Sequence, residues 1–469
     1  MSISDTASPL SNGFHTARVI HLAAVAAIGG LLFGFDTAVI NGTVTAMQSD
    51  FAMGDGLTGF VVSSALLGCM VGAYAAGRIA DRIGRIRVML IAAVMFTISA
   101  LGSGLAFGPT DMIIWRVIGG LGVGAASVIA PAYIAEISPA EVRGRMGSLQ
   151  QLAIVIGIFI ALLSDFAIAG AAGGSGEEWG FGLEAWRWMF LAELVPAIGY
   201  GVLAATIPES PRYLVRVGRE GEARTVLGSI LHSGVDTRIS EIKRTITHEA
   251  RTSFSDLRKP GGGLLPIVWI GIALSIFQQF VGINVIFYYS SMLWQSVGFT
   301  EEDALLQTVI TSVTNIVVTI VAIALVDVIG RRVLLIIGSA GMTLSLGVMA
   351  FVFSQAPIVD GAPELSDSAS LTALIAANAF VVFFGATWGP VVWVLLGEMF
   401  NNTIRGTALG VAAAAQWLAN FAISTSFPGM AEIGLWFAYG FYTLCAFLSL
   451  LFVLKFIPET KGVELEDMA

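Results

Sequence analysis

The sequence predicts an all-α integral membrane protein of about twelve transmembrane helices, built as two six-helix halves that repeat one another. Three observations predict it. Of 469 residues, 56% are hydrophobic and only 12% charged, with a mean hydropathy of +0.83; soluble domains carry about a quarter charged residues. Apolar runs long enough to cross a bilayer fall at 18–46, 57–80, 86–107, 110–136, 146–168, 186–207, 264–293, 303–328, 333–355, 371–400, 406–430 and 434–457. Short charged motifs also recur. Asp81, Gly84 and Arg85 return as Asp327, Gly330 and Arg331. Glu136 with Arg143-Gly144 returns as Glu398 with Arg405-Gly406, and PESPR from Pro208 as PETKG from Pro458. Each pair is separated by about 250 positions, which marks an internal duplication.

The basic residues set the orientation. Arg78, Arg82, Arg85, Arg87, Arg143, Arg145, a dense set from Arg212 to Lys259, Arg331, Arg332, Arg405, Lys455 and Lys461 share one side if the spans alternate. Only Arg116 and Arg187 do not, and Arg116 lies inside a span. The opposite loops carry Asp50, Asp55, Glu177, Glu178, Asp360, Glu364 and Asp367. Both termini are therefore expected in the cytoplasm. The expected organisation is a tail (1–17), a six-helix bundle (18–207), a charged, helix-prone cytoplasmic linker (208–263), a second bundle (264–457) and a short tail (458–469).

Several classes are excluded. The net charge of −9 does not suggest nucleic acid, because the basic residues cluster against the membrane. The first span follows a polar segment without a small-residue cleavage site, so it reads as retained. Cys69 and Cys445 lie inside helices of different halves, which argues against a disulfide or metal site. No cofactor loop or nucleophile–base pair is visible, so the chain reads as neither an enzyme nor a cofactor protein. Short loops suit a bacterial inner membrane.

Polar residues inside the spans are the candidate functional groups. Asp36 stands in GGLLFGFDTAVI, beside Gly29, Gly30 and Gly34. A charge there must be paired, protonated, or both in turn. Arg116 in the fourth span is its expected partner: the guanidinium favours an ionised Asp36 and dehydration opposes it. A movement that separates or dries the pair would then release or bind a proton. The seventh span carries FQQFVGINVIFYYS, with Gln278, Gln279, Asn284 and Tyr288. On one continuous helix these would form a neutral ladder up one sector. Uncharged donors and acceptors in a row suit a ligand made of hydroxyl groups, although amides also serve as interhelical glue. In the tenth span, Gly389-Pro390 is expected to break the helix and act as a moving gate.

GRIADRIGR, PESPR, QQFVGIN, DVIGRR and PETKG, with Glu-x₆-Arg-Gly in both halves, resemble the sugar porter family of the major facilitator superfamily. The likeness runs from Arg18 to Gly462. It implies the major facilitator fold, a small cytoplasmic helical bundle in the linker, and a monomeric unit in a lipid bilayer. It also implies a substrate site between the halves. Gln151 matches the family's sugar-binding Gln, and Ile158 would line the same face. Gln278, Gln279, Asn284 and Asn315 match its hydroxyl-binding amides, and Trp393 and Trp417 its site tryptophans. Gln416 beside Trp417 is a further candidate. An indole can carry a sugar's apolar face while amides meet its hydroxyl rim.

An acid at the place of Asp36 implies proton-coupled import by alternating access, with the proton as coupling ion. A facilitative uniporter, a drug exporter and a non-transporting sensor are the alternatives. Xylose symporters of the family carry Gln and Leu where this chain has Ile158 and Phe287, whereas glucose carriers carry Ile and Phe. The expected monosaccharide is thus D-glucose or a related hexose, with xylose as alternative. The repeated charges (Asp81, Arg82, Arg85, Glu136, Arg143, Glu209, Asp327, Arg331, Arg332, Glu398, Arg405 and Glu459) are expected to form cytoplasmic salt bridges between the halves. Those bridges would have to break for inward opening.

Overall fold

The computed structural model describes residues 13–139, 142–248, 257–259, 262–359, 362–400 and 404–459, excluding some side chains within them. The ends of both expected tails and 249–256 of the linker lie outside the described residues. So do the side chains of Asp327, Glu398 and Arg405. Twelve helices among the described residues are long and apolar enough to cross a membrane. They are Thr16–Asp50, Asp55–Ile83, Arg85–Gly104, Pro109–Ile137, Arg145–Ala172, Ala185–Ala204, Pro266–Gln295, Glu301–Ala322, Arg331–Ser354, Asp367–Leu396, Thr407–Ile433 and Leu435–Phe456. Three short helices, Pro211–Arg216, Glu220–Ile230 and Val235–His248, separate the sixth span from the seventh.

Four spans are not single regular helices. The first has a joint at Val39, between Thr16–Ala38 and Ile40–Asp50. The sixth is interrupted at Glu193 and the seventh at Val281-Gly282. The tenth has a widened π turn at Phe384–Trp388. Irregular backbone is tolerated at membrane depth only where protein or a cavity surrounds it.

Small residues let spans meet backbone to backbone. A Cβ on Gly34 would lie 2.0 Å from the Ile154 carbonyl oxygen, and one on Gly157 equally close to that of Leu31. The first and fifth spans are therefore in direct backbone contact. Gly34→Ala should force them apart and cost about 1–3 kcal/mol, as overpacking does. The measurement is the thermal unfolding midpoint in detergent, which should fall; an unchanged midpoint would show that the contact yields freely.

The repeated motifs have a shared physical cause. Gly84 (φ +100°) and Gly330 (φ +104°) turn the chain into the third and ninth spans. Glu209 of PESPR accepts from the backbone N–H of Arg85 (2.9 Å) and Ile86 (3.2 Å). Glu459 of PETKG accepts from those of Arg331 (2.9 Å) and Arg332 (3.1 Å). Each carboxylate thus satisfies orphan amides at a helix start and meets its positive end.

The two halves touch toward the end that carries Asp50, Asp55 and Glu301, here termed the acidic end. Asn41 Nδ2 donates to the Phe287 carbonyl and to Ser290 Oγ, both at 3.0 Å. Ser291 N–H donates to Asn41 Oδ1 (3.1 Å), and Ser291 Oγ to the Asn41 carbonyl. Ser63 and Thr425 hydroxyls lie 2.6 Å apart, and Ser175 N–H donates to Glu301 Oε1 (2.9 Å).

Candidate functional site

Gly282 organises the site. Its φ is +84°, and a Cβ there would lie 2.7 Å from the Tyr442 ring, so conformation and space both require glycine. The continuous ladder expected of the seventh span is therefore two helical pieces meeting at a turn, and the turn lets the amides bond in series. Asn284 Nδ2 donates to Gln279 Oε1 (2.5 Å), and Gln279 Nε2 to Gln278 Oε1 (3.4 Å). Gln278 Nε2 donates to the carbonyls of Trp388 (2.9 Å) and Gly389 (3.3 Å) in the tenth span. Each amide nitrogen carries two hydrogens, so Asn284 and Gln279 keep a donor each for a ligand.

The expected break at Gly389-Pro390 takes a specific form. The helix widens over Phe384–Trp388 and resumes at Gly389, with Pro390 in its first turn. Such π turns cluster at functional sites. Trp388 is fully buried, and its indole N–H donates to the Leu335 carbonyl (3.1 Å) and Ser339 Oγ (3.0 Å). It anchors the tenth span to the ninth. Trp393, further along the helix, is 42% exposed. Asn315 faces the π turn: its Oδ1 lies 3.3 Å from where a Cβ on Gly385 would stand.

Trp417 approaches the other half, with its ring 5.8 Å from that of Phe33. Beside it, Gln416 Oε1 is buried without a partner. Gln151 and Ile158 are half-buried on the fifth span, and the Ile158 backbone abuts Gly34. Phe287 is buried, and Tyr288 is hydrogen-bonded to Asn420.

Asp36 and Arg116 form the expected pair. Arg116 Nη1 lies 3.1 Å from Asp36 Oδ1 and 3.0 Å from its carbonyl oxygen, and both side chains are buried. Asp36 Oδ2 and Arg116 Nε have no partner. Sequence reasoning missed the third member. Glu193 interrupts the sixth span, is buried, and has both carboxyl oxygens unpartnered. Its charge interacts with Asp36 and Arg116. The signal was an acid inside the apolar run LAELVPA. Asn41 was missed as well, though it lies only five residues beyond Asp36 in the same span.

At the basic end, Arg85 pairs with Glu136 (2.9 Å) and Asp81 (3.2 Å), Glu136 accepts from Ser210, and Asp81 also meets Arg216. Tyr213 donates to the Arg82 carbonyl, and Arg332 to the Leu454 carbonyl. Arg143 is exposed. The bridges expected between halves involve Asp327, Glu398 and Arg405, whose side chains lie outside the described residues. The described pairs tie each half to its own loops, while the described cross-half hydrogen bonds lie toward the acidic end.

The family described as "Sugar (and other) transporter" matches residues 22–469. The chain belongs to this family of sugar porters. The transporter is 58% identical over 465 residues to the glucose transport protein of Synechocystis, covering 99% of both chains. It is 38% identical to the D-xylose-proton symporter of Escherichia coli, covering 98% of this chain and 96% of that one. The partially occluded, inward-open structure of the Escherichia coli xylose transporter XylE superposes with a TM-score of 0.82 at 37% identity, over 96% of this chain and 100% of that one.

Proposed function

We propose that this transporter imports D-glucose together with a proton by alternating access, across a cell membrane with both termini in the cytoplasm. The two six-helix bundles (18–207 and 264–457) move against each other, joined by the 208–263 linker. The acidic end then faces outward, and the structure stands closed on that side. The observation that carries the coupling is the buried group Asp36, Arg116 and Glu193. Asp36 pairs with the guanidinium and the unpartnered Glu193 lies within reach of both charges in a dry site, so one bound proton leaves the group neutral. Asp36 is also two residues from Gly34, where the first span presses on the helix that carries Gln151 and Ile158. A shift of the sugar-bearing fifth span is therefore felt at the carboxyl.

The sugar reading rests on the amide chain and on Trp393 and Trp417. Neutral hydrogen bonds net about 1 kcal/mol each, so several are needed for useful affinity. Glucose is favoured over xylose by Ile158 and Phe287, and by the relative named a glucose transport protein. The transporter acts as a monomer and needs no cofactor.

The test is proton movement in sealed vesicles of reconstituted protein. Adding D-glucose outside should alkalinise the medium in proportion to sugar taken up. Glucose flux without proton movement would make this a uniporter, and xylose flux without glucose flux would correct the substrate.

A further inference from the structure

One buried acid has no part in that scheme. Asp165, in the fifth span, is fully buried. Its Oδ2 accepts from the Gly42 backbone N–H at 3.3 Å, and its Oδ1 has no partner. Gly42 lies in the first turn of the helix Ile40–Asp50, just past the joint at Val39. A Cβ on Gly42 would meet the Asp165 side chain at 2.6 Å, so the contact is tight. The carboxyl thus caps, from a neighbouring helix, the segment that presents Asn41 to the seventh span.

No cation answers this acid among the described residues. The elements packed against the fifth span are the first, fourth, sixth and eighth spans and a short hairpin before the sixth, whose strands are Glu178–Gly180 and Leu183–Glu184. Toward the acidic end they bring Asp36, Asp50, Asp111, Glu178, Glu184, Glu193, Glu301, Glu302 and Asp303, with Arg116 and Arg187. Arg116 is engaged by Asp36, and Arg187 by Asp50 and Glu184. Arg18, His21, Glu136, Arg143 and Arg145 lie toward the other end. An ionised carboxylate here would have one bare oxygen in a dry, largely acidic surrounding, which is costly without a partner.

We propose that Asp165 is a second proton site of this transporter, apart from the group of Asp36 and Glu193, protonated while the outer end is closed and ionised when it opens. Opening must separate Asn41 from Phe287, Ser290 and Ser291, and Ser175 from Glu301. Both events loosen helices packed against the fifth span, Ile40–Asp50 and the eighth span, and so admit water beside Asp165. The inference rests on the sidedness proposed above but not on coupling at Asp36. The sign follows: raising pH drains the protonated, closed form and populates the open one, whereas acid closes the outer end.

The experiment measures the distance across the outer end in full-length protein. Spin labels are placed at Glu177→Cys and Glu302→Cys, with Cys69 and Cys445 replaced by Ser. The background is Asp36→Asn with Glu193→Gln, so the other two carboxyls cannot titrate. The open-to-closed ratio should rise with pH, by at most about tenfold per unit for one linked proton. Adding Asp165→Asn, which keeps an acceptor for Gly42 but cannot ionise, should leave the outer end closed and remove the pH dependence. Asp165→Glu should restore a pH dependence with a displaced midpoint. The proposal is overturned if the background shows no pH dependence, if Asp165→Asn leaves it in place, or if Asp165→Glu, should the Asn variant not fold, titrates with an unmoved midpoint. Loss of glucose-driven proton uptake in the wild type would sink the coupling scheme and leave this result standing.

Discussion

Asp36→Asn is expected to abolish glucose-driven proton uptake while downhill glucose exchange survives. The size of the effect follows from the driving force. One charge crossing 100 mV is worth about 2.3 kcal/mol, which supports an accumulation of about 50-fold. Without a carboxyl at 36 that ratio should fall to about one. The substitution is gentle on structure, because an Asn side-chain oxygen can still accept from Arg116, which also holds the residue-36 carbonyl. The decisive comparison is accumulation against exchange in the same vesicles. If Asp36→Asn still accumulates glucose against a gradient, the proton is carried elsewhere and Asp36 is a structural partner of Arg116. If exchange is lost too, the pair is needed for the conformational cycle itself.

Glu193 gives that experiment a companion. Its buried, unpartnered carboxyl feels the charges of Asp36 and Arg116, so Glu193→Gln should alter the pH dependence of accumulation without removing it. Equal loss in both single variants would mean that the two acids act as one proton site.

The fold was legible in the sequence because a bilayer imposes one simple requirement on every span. Twelve apolar runs could be counted, and the duplicated charges at Asp81 and Asp327, Glu209 and Glu459 gave the symmetry. The physical use of those charges was less legible. Positive-inside reasoning and the repeat spacing suggested bridges between halves, whereas Glu209 and Glu459 cap the third and ninth spans of their own halves. Sequence spacing locates a charge along a helix but not the loop that folds back on it. The pair Asp36–Arg116 was legible because each is flanked by apolar residues inside its span, and the two have opposite charge. Glu193, Asn41 and Asp165 were not identified. Their importance comes from which helix each faces, and that depends on packing between distant spans. The kink at Gly282 was hidden for the opposite reason: a glycine in an apolar run is compatible with close packing or with a left-handed turn, and only the Tyr442 ring beside it shows that both apply.

Gln279→Ala is expected to weaken glucose binding by about 30- to 150-fold. Gln279 is the middle of the series from Asn284 to the tenth span. Removing it strips Asn284 Nδ2 and Gln278 Oε1 of their shared partner and deletes a spare donor that a hydroxyl could use. With Gln279's own donor gone and Asn284 and Gln278 no longer aimed, two or three hydrogen bonds to the sugar are lost; at about 1 kcal/mol each they give about 2–3 kcal/mol, which is the stated loss in Kd. Asp36, Arg116 and Glu193 are in the other half, so glucose-dependent alkalinisation should persist at saturating sugar. The control is Trp388→Phe, which removes the indole donor to Leu335 and Ser339 and should lower thermal stability more than affinity. Tryptophan fluorescence or calorimetric titration with D-glucose reads the affinity of both variants. If Gln279→Ala binds glucose as the parent does, the amide chain is glue between the seventh and tenth spans. The sugar would then have to be held by Trp393, Trp417 and the fifth span instead. If Gln279→Ala loses affinity and keeps its melting temperature, the amides are spent on the ligand, and the turn at Gly282 exists to aim them.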